Sequence, residues 1–161
     1  MHESGEARPP GKHRAFETAT TRHIDWRSGA VRIEQVRIEV DASGALAPDA
    51  RALCGRPEIT PGGALRDRVG KPLGLHGYAA NCVIDVADAR VASVAVLFEP
   101  IHFFDGSITE SRIVQAVAAA SGRQLASTHP ASAALEPLAW GRARFSHDPR
   151  QADPSLMLRY P

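Results

Sequence analysis

Lysine is almost absent from this chain of 161 residues. Lysine and arginine together number 19, and Lys12 and Lys71 are the only lysines. The formal net charge is only +1, so the molecule as a whole has no electrostatic drive toward nucleic acid or an anionic membrane. The excess of arginine has two explanations: a GC-rich genome, or selection of the planar guanidinium for bidentate contacts with anions.

Cysteine is also scarce, since Cys54 and Cys82 are the only two. Neither belongs to a CxxC or CxxH pair, so the usual spacing of zinc ligands is absent. The motifs GxGxxG, GxxxxGK[ST] and GxSxG are absent too, which argues against Rossmann, P-loop and α/β-hydrolase folds. We therefore expect neither a metal nor a cofactor.

Long apolar runs are missing as well. The first residues contain no apolar segment of a secretory signal, and no run approaches the ~18 apolar residues that span a bilayer. We expect a cytoplasmic protein without membrane association, and both thiols are then expected to be reduced.

The first part of the chain differs in composition from the rest. Residues 1–22 are polar and charged, and Phe16 is their only large apolar side chain. Such a segment cannot bury enough surface to offset the entropy lost on ordering. We predict a disordered N-terminal lead at 1–22 and a single α+β domain at 23–161.

The apolar pattern predicts a mainly antiparallel sheet of about five strands, with one principal helix packed on one face. The helix is expected near 109–121, because Ser107 and Glu110 fit a capping box and Gly122 is a natural stop. Segment 45–77 shows no sustained period, and we expect short turns of helix or strand within it. The predicted strands are 31–40 (with a bulge near 34–35), 81–86, 90–98, 137–145 and 155–160.

The strand predicted at 137–145 offers a candidate binding surface. Its alternation places Trp140, Arg142 and Arg144 on one face, opposite small residues that suit close packing. Tryptophan and arginine are enriched at the centres of protein interfaces, and they also stack and pair with nucleic acid, although the low net charge argues against nucleic acid. The alternative is an ordinary solvated sheet face.

The sequence support for catalytic residues is weaker than that for the binding surface. His102 and Asp105 follow the strand at 90–98, and histidine beside a carboxylate is the usual pair for general acid–base chemistry. Cys82 with His76 could form a nucleophile and its base, but Cys82 shares an apolar stripe with Ile84, which indicates a core residue. These histidines and acids are as readily explained as turn and capping residues.

Two functions from different classes follow. The first is a non-enzymatic protein-binding module of a bacterial cytoplasm, for which an immunity or inhibitor-type protein is an analogy of size and compartment. The alternative is a small enzyme that uses His102 and Asp105 as an acid–base group. The two differ in whether His76, Cys82, His102 and Asp105 converge in one pocket.

Overall fold

The computed structural model describes residues 20–75, 78–99, 110–129, 132–146 and 154–161. These residues form twelve strands and two helices. The elements are β1 (Thr20–Ile24), β2 (Val31–Ile33), β3 (Val36–Arg37), α1 (Pro48–Ala52), β4 (Glu58–Ile59), β5 (Leu65–Arg68), β6 (Leu73–Leu75), β7 (Tyr78–Ala87), β8 (Arg90–Phe98), α2 (Glu110–Ser121), β9 (Ala126–His129), β10 (Ser132–Leu138), β11 (Gly141–Ser146) and β12 (Ser155–Arg159).

The strands form a mostly antiparallel arrangement. Seven of them lie in the order β6-β7-β8-β12-β11-β10-β9, and the three-stranded unit β3-β2-β1 joins this series where β1 runs parallel to β6. The ten-residue strand β7 is long enough to pair with β6 through its first residues and with β5 through its last. The small strand β4 lies on the far side of β5.

The hairpin of β7 and β8 is the centre of the sheet, as the sequence predicts. Asp88 and Ala89 form its turn, with φ angles of 52° and 58°. The β-branched residues of β8 alternate with small ones, so Val94, Val96 and Phe98 all point into the core and are buried. The predicted central strand is confirmed.

One face of the sheet carries the hydrophobic core. Because directly paired residues of neighbouring strands share a face, the core face is traced from β7 through β8 and β12 to β11. It contains Cys82, Ile84, Val94, Val96, Leu156, Leu158, Ala143 and Phe145, all buried. We call the opposite side the outer face. It is not exposed throughout, because Val83, Ala95 and Ala134 are buried there.

The longer helix, α2, begins at Glu110 and ends at Ser121, followed by Gly122 at φ 68°. This positive φ explains why glycine stands at the helix end. Ile113 and Val117 are one helical turn apart, fully buried, and belong to the core. The predicted cap at Ser107 lies outside the described residues. No helix among the residues described is long and apolar enough to cross a membrane.

The prediction of about five strands with one principal helix is wrong. Twelve strands are present among the described residues, together with two helices of which one is short. Two predicted strands are each divided by a tight turn: segment 31–40 at Glu34 (φ 55°), where a bulge was expected, and segment 137–145 at residues 139–140. The five further strands, β1, β4, β5, β6 and β9, have two to five residues each, which is too short to show a clear alternation.

The segment 45–77 contains α1 and the short strands β4, β5 and β6, in agreement with the short elements expected there. Arg51 of α1 forms an ion pair with Asp67 of β5. Asp67 is buried, so its carboxylate requires this partner. The predicted lead, residues 1–22, lies outside the described residues up to residue 19, and residues 20–22 belong to β1.

Candidate functional site

A row of polar side chains crosses the outer face at right angles to the strands. Arg142 of β11 is paired directly with Arg159 of β12, and Arg159 is paired with Ser93 of β8. Ser93 in turn faces Asp85 of β7, which faces Arg66 of β5. The pairing of five strands thus aligns residues that are far apart in the sequence.

Three arginines dominate one end of this face. Arg142, Arg144 and Arg159 are exposed, and we call them the arginine cluster. Directly opposed residues of an antiparallel pair have Cβ atoms ~4.5–5.5 Å apart, so the side chains of Arg142 and Arg159 start from neighbouring points on the same face. Neither lies within ion-pairing distance of a carboxylate in the part of the chain that the structure describes.

The other end of the row contains a compensated ion pair. Arg66 donates from Nε to Oδ1 and from Nη2 to Oδ2 of Asp85, both at 2.8 Å. These bonds raise the pKa of the Arg66 guanidinium above its ordinary value. Asp85 binds Arg66 with both oxygens, and Ser93 lies between Asp85 and Arg159 in the row.

Two cavities open beside the arginine cluster. One of about 640 Å³ is lined by Arg66, Asp85, Ser93, Arg142 and Arg159. A second, of about 280 Å³, is lined by Arg142, Arg144, Ser146, Ser155, Met157 and Arg159. Both share Arg142, Met157 and Arg159, so the cross-strand arginine pair forms the boundary between them. The lining combines polar and apolar groups, and the Sδ of Met157 accepts a hydrogen bond from Arg159 Nε at 3.3 Å.

Trp140 lies apart from Arg142 and Arg144. It occupies the turn between β10 and β11, and its indole Nε1–H donates to the carbonyl oxygen of Trp26 at 2.9 Å. Its ring centroid is 6.4 Å from that of Trp26 and 5.5 Å from that of Tyr160. All three aromatic residues pack against the core. Of the predicted binding residues, the structure therefore brings only the two arginines together on the outer face.

Arg159 is a site residue that sequence reasoning missed. The alternation in β12 contains the signal, because Leu156 and Leu158 are apolar and Arg159 must then point the other way. What the alternation does not reveal is the neighbour of β12. Its pairing with β11 places Arg159 opposite Arg142, and this depends on the register of the two strands.

The candidate catalytic residues do not form a site among the described residues. His76, His102 and Asp105 lie outside them. Cys82 is fully buried on the core face, as expected for a small core residue. The other cysteine, Cys54, is half-buried, and burial raises the pKa of its thiol. Neither cysteine forms a disulfide, and no group of three potential metal ligands occurs within the described ranges.

Asp25, two residues after His23, has a structural role as the cap of a turn. Its carboxylate accepts the backbone N–H of Arg27 and the hydroxyl of Ser28, each at 2.9 Å. These bonds lower its pKa, the backbone bond contributing most. The doublet of His23 and Asp25 thus contains a turn cap.

Comparison of the chain with family models, with curated proteins and with solved structures found no match.

Proposed function

We propose that this chain is a non-enzymatic protein-binding module whose arginine cluster docks an acidic segment of a protein partner. The observation that supports this proposal is the cross-strand pair of Arg142 and Arg159. Like charges directly opposite each other in a sheet are destabilising. A partner that supplies negative charge relieves this repulsion, so the pair favours an acidic ligand.

Two other arginines differ from Arg142 and Arg159 because each has a carboxylate partner within the chain. Arg66 is held by Asp85 and Arg51 by Asp67, each through a close ion pair. The chain thus provides carboxylates for arginines that have structural roles. Arg142 and Arg159 have no such carboxylate among the described residues, and they form the last pair of the β11–β12 ladder.

The surroundings suit a polypeptide ligand. The backbone beneath the arginine cluster is fixed by pairing on both sides of β11 and β12, so the guanidinium groups start from a rigid base. Arginine in a rigid setting is a frequent hot spot of protein interfaces. Met157 lies between the two cavities and offers a flexible apolar contact.

We also propose that the protein acts in a bacterial cytoplasm and that it is of the immunity or inhibitor type. The absence of a disulfide between Cys54 and Cys82 is compatible with the cytoplasm, where thiols stay reduced. An immunity or inhibitor-type protein is one form of such a module, because it neutralises its partner by occupying a charged surface.

The test uses a labelled peptide of alternating glutamate and serine, with a lysine–serine peptide of the same length as the negative control. Fluorescence anisotropy at low salt should show binding of the acidic peptide only. Changing both Arg142→Glu and Arg159→Glu should weaken binding by about 100-fold or more. High salt should weaken binding to the wild type as well, because exposed charges are screened.

The matched control is the other cross-strand arginine pair, Arg32 and Arg37 of the β2–β3 hairpin. Both are exposed, but Arg37 lies 3.6 Å from the Glu39 carboxylate. Changing this pair to Glu should alter affinity less than about threefold. Equal binding of acidic and basic peptides, or full binding by the Arg142/Arg159 variant, would show that the proposal is wrong. If that variant does not fold, the single change Arg142→Gln is tested instead, and full binding of the acidic peptide by it would show that the proposal is wrong.

A further inference from the structure

We propose that the space between Arg142 and Arg159 is a subsite for a phosphoryl group, contributed by a phosphorylated serine or threonine of the partner's docking segment. This inference rests on the proposed function, because it specifies the chemistry of the acidic segment. It begins from the observation that two arginines occupy directly paired positions of β11 and β12 and line the same two cavities.

The first argument is the balance of charge and hydrogen bonds. Each guanidinium presents a fork of N–H donors that binds two oxygens. A carboxylate has a single negative charge and two oxygens, so one arginine satisfies it and the second keeps its unbalanced charge. A phosphate monoester has a charge of about −1.5 to −2 at neutral pH and three acceptor oxygens. It can bind both forks and neutralise the pair.

The second argument is the surrounding polarity. Ser93 faces Arg159 from β8 and adds a hydroxyl to the same cavity. Farther along the row, both carboxylate oxygens of Asp85 accept hydrogen bonds from Arg66. Arg142, Arg159 and the Ser93 hydroxyl thus supply the N–H and O–H donors at the proposed subsite.

The third argument concerns the source of the phosphoryl group. A membrane-binding surface needs apolar side chains around the basic residues, but the exposed large hydrophobic residues among those described, Ile59 and Leu65, lie on the β4–β5 hairpin. Single-stranded nucleic acid needs exposed aromatic rings for stacking, and Trp140 is instead packed against Trp26 and Tyr160. A face of paired strands that carries two arginines beside open cavities fits an extended protein segment best.

The experiment compares three peptides of one sequence, which carry phosphoserine, glutamate or serine at the central position. The wild-type chain should bind the phosphoserine peptide about tenfold more tightly than the glutamate peptide, and the serine peptide most weakly. This preference should disappear below about pH 6, where the phosphate loses its second charge. The change Arg142→Gln or Arg159→Gln should make the phosphoserine and glutamate peptides bind equally.

Two further variants make the result specific. Changing both arginines to lysine keeps the charge but removes the fork, so affinity for the acidic peptides should persist while the preference for phosphoserine falls by at least threefold. The Arg32→Gln, Arg37→Gln control should keep the full preference. Inorganic phosphate should raise the unfolding temperature of the wild type more than chloride at equal ionic strength, and the Arg142→Gln protein should lose this difference.

The outcomes separate the two proposals. Equal affinity of the wild type for the phosphoserine and glutamate peptides overturns the phosphoryl subsite and leaves the acidic docking surface standing. Absence of binding to either peptide overturns both. Displacement of the phosphopeptide by anionic lipid vesicles or by single-stranded RNA at lower concentration than by free phosphopeptide overturns the protein source. If the glutamine variants do not fold, the variant with both arginines changed to lysine is the test. If it keeps the full preference for the phosphoserine peptide, the phosphoryl subsite is wrong.

Discussion

Tyr160 connects the end of β12 with the turn that precedes β2. Its hydroxyl donates to the carbonyl oxygen of Gly29 at 2.7 Å, and its ring lies against Trp140. Burial raises the pKa of this phenol well above its usual value of 10.0. The ionised form would lose its hydrogen bond and place a charge beside the core, so the folded protein retains the phenolic proton.

This proton gives a prediction about pH. A group whose pKa is higher in the folded than in the unfolded state contributes stability that is complete below the unfolded pKa and is lost as pH rises toward the folded one. The wild type should therefore lose stability progressively above pH 10. Changing Tyr160→Phe should cost about 0.5–1.5 kcal/mol at neutral pH, through the lost hydrogen bond, and should flatten the alkaline part of the profile. Denaturant unfolding from pH 7 upward measures both effects, and a variant that keeps the wild-type alkaline slope would contradict the assignment.

At the scale of elements, the close approach of β11 and β12 depends on one glycine. Gly141 begins β11 with φ 145°, and a Cβ placed there would overlap the carbonyl oxygen of Arg159. Gly141 also follows the turn at residues 139–140 that redirects the chain into β11. The register that places Arg142 opposite Arg159 therefore requires the absence of a side chain at position 141.

Changing Gly141→Ala should destabilise the protein by about 1–3 kcal/mol, because the conformation is strained for other residues and the neighbouring backbone must move. It should also weaken binding of the acidic peptide, since the two arginines lose their alignment. The matched control is Gly55→Ala, where nothing lies within 4 Å of an added Cβ and φ is ordinary. The control should change stability by less than about 1 kcal/mol. Equal losses of unfolding free energy in the two variants would refute the role of Gly141.

At the scale of the whole molecule, β1 joins two groups of strands. It pairs antiparallel with β2 through residues 22–24 and parallel with β6 through Thr20 and Thr21. Ile24, at its end, is buried in the core. The three-stranded unit thus belongs to the same core as the seven-stranded series, and β1 is the strand that connects them.

Two truncations test this connection. Removing residues 1–19 should leave the unfolding temperature nearly unchanged, because their composition offers little apolar surface to bury. Removing residues 1–24 should lower it by several degrees, since each 1 kcal/mol corresponds to about 2–4 °C in a domain of this size. Differential scanning calorimetry gives both values. A shorter truncation that is as harmful as the longer one would show that the first residues also pack on the domain.

The sequence alone determined the features that depend on local alternation. The hairpin of β7 and β8, its buried face with Val96 and Phe98, and the exposure of Arg142 and Arg144 follow from the rule that successive side chains of a strand point to opposite faces. The helix end at Gly122 follows in the same way from a local preference for positive φ. Because these patterns are local, they can be predicted from a single sequence.

Only the tertiary structure decided the rest. Strands of two to five residues such as β4 and β6 acquire their hydrogen bonds from neighbours distant in the chain, and no pattern within so few residues distinguishes them from turns. Trp140 is positioned by a carbonyl 114 residues away. The pairing of Arg142 with Arg159 is likewise non-local, because register between strands is set by the packing of the whole core rather than by either strand.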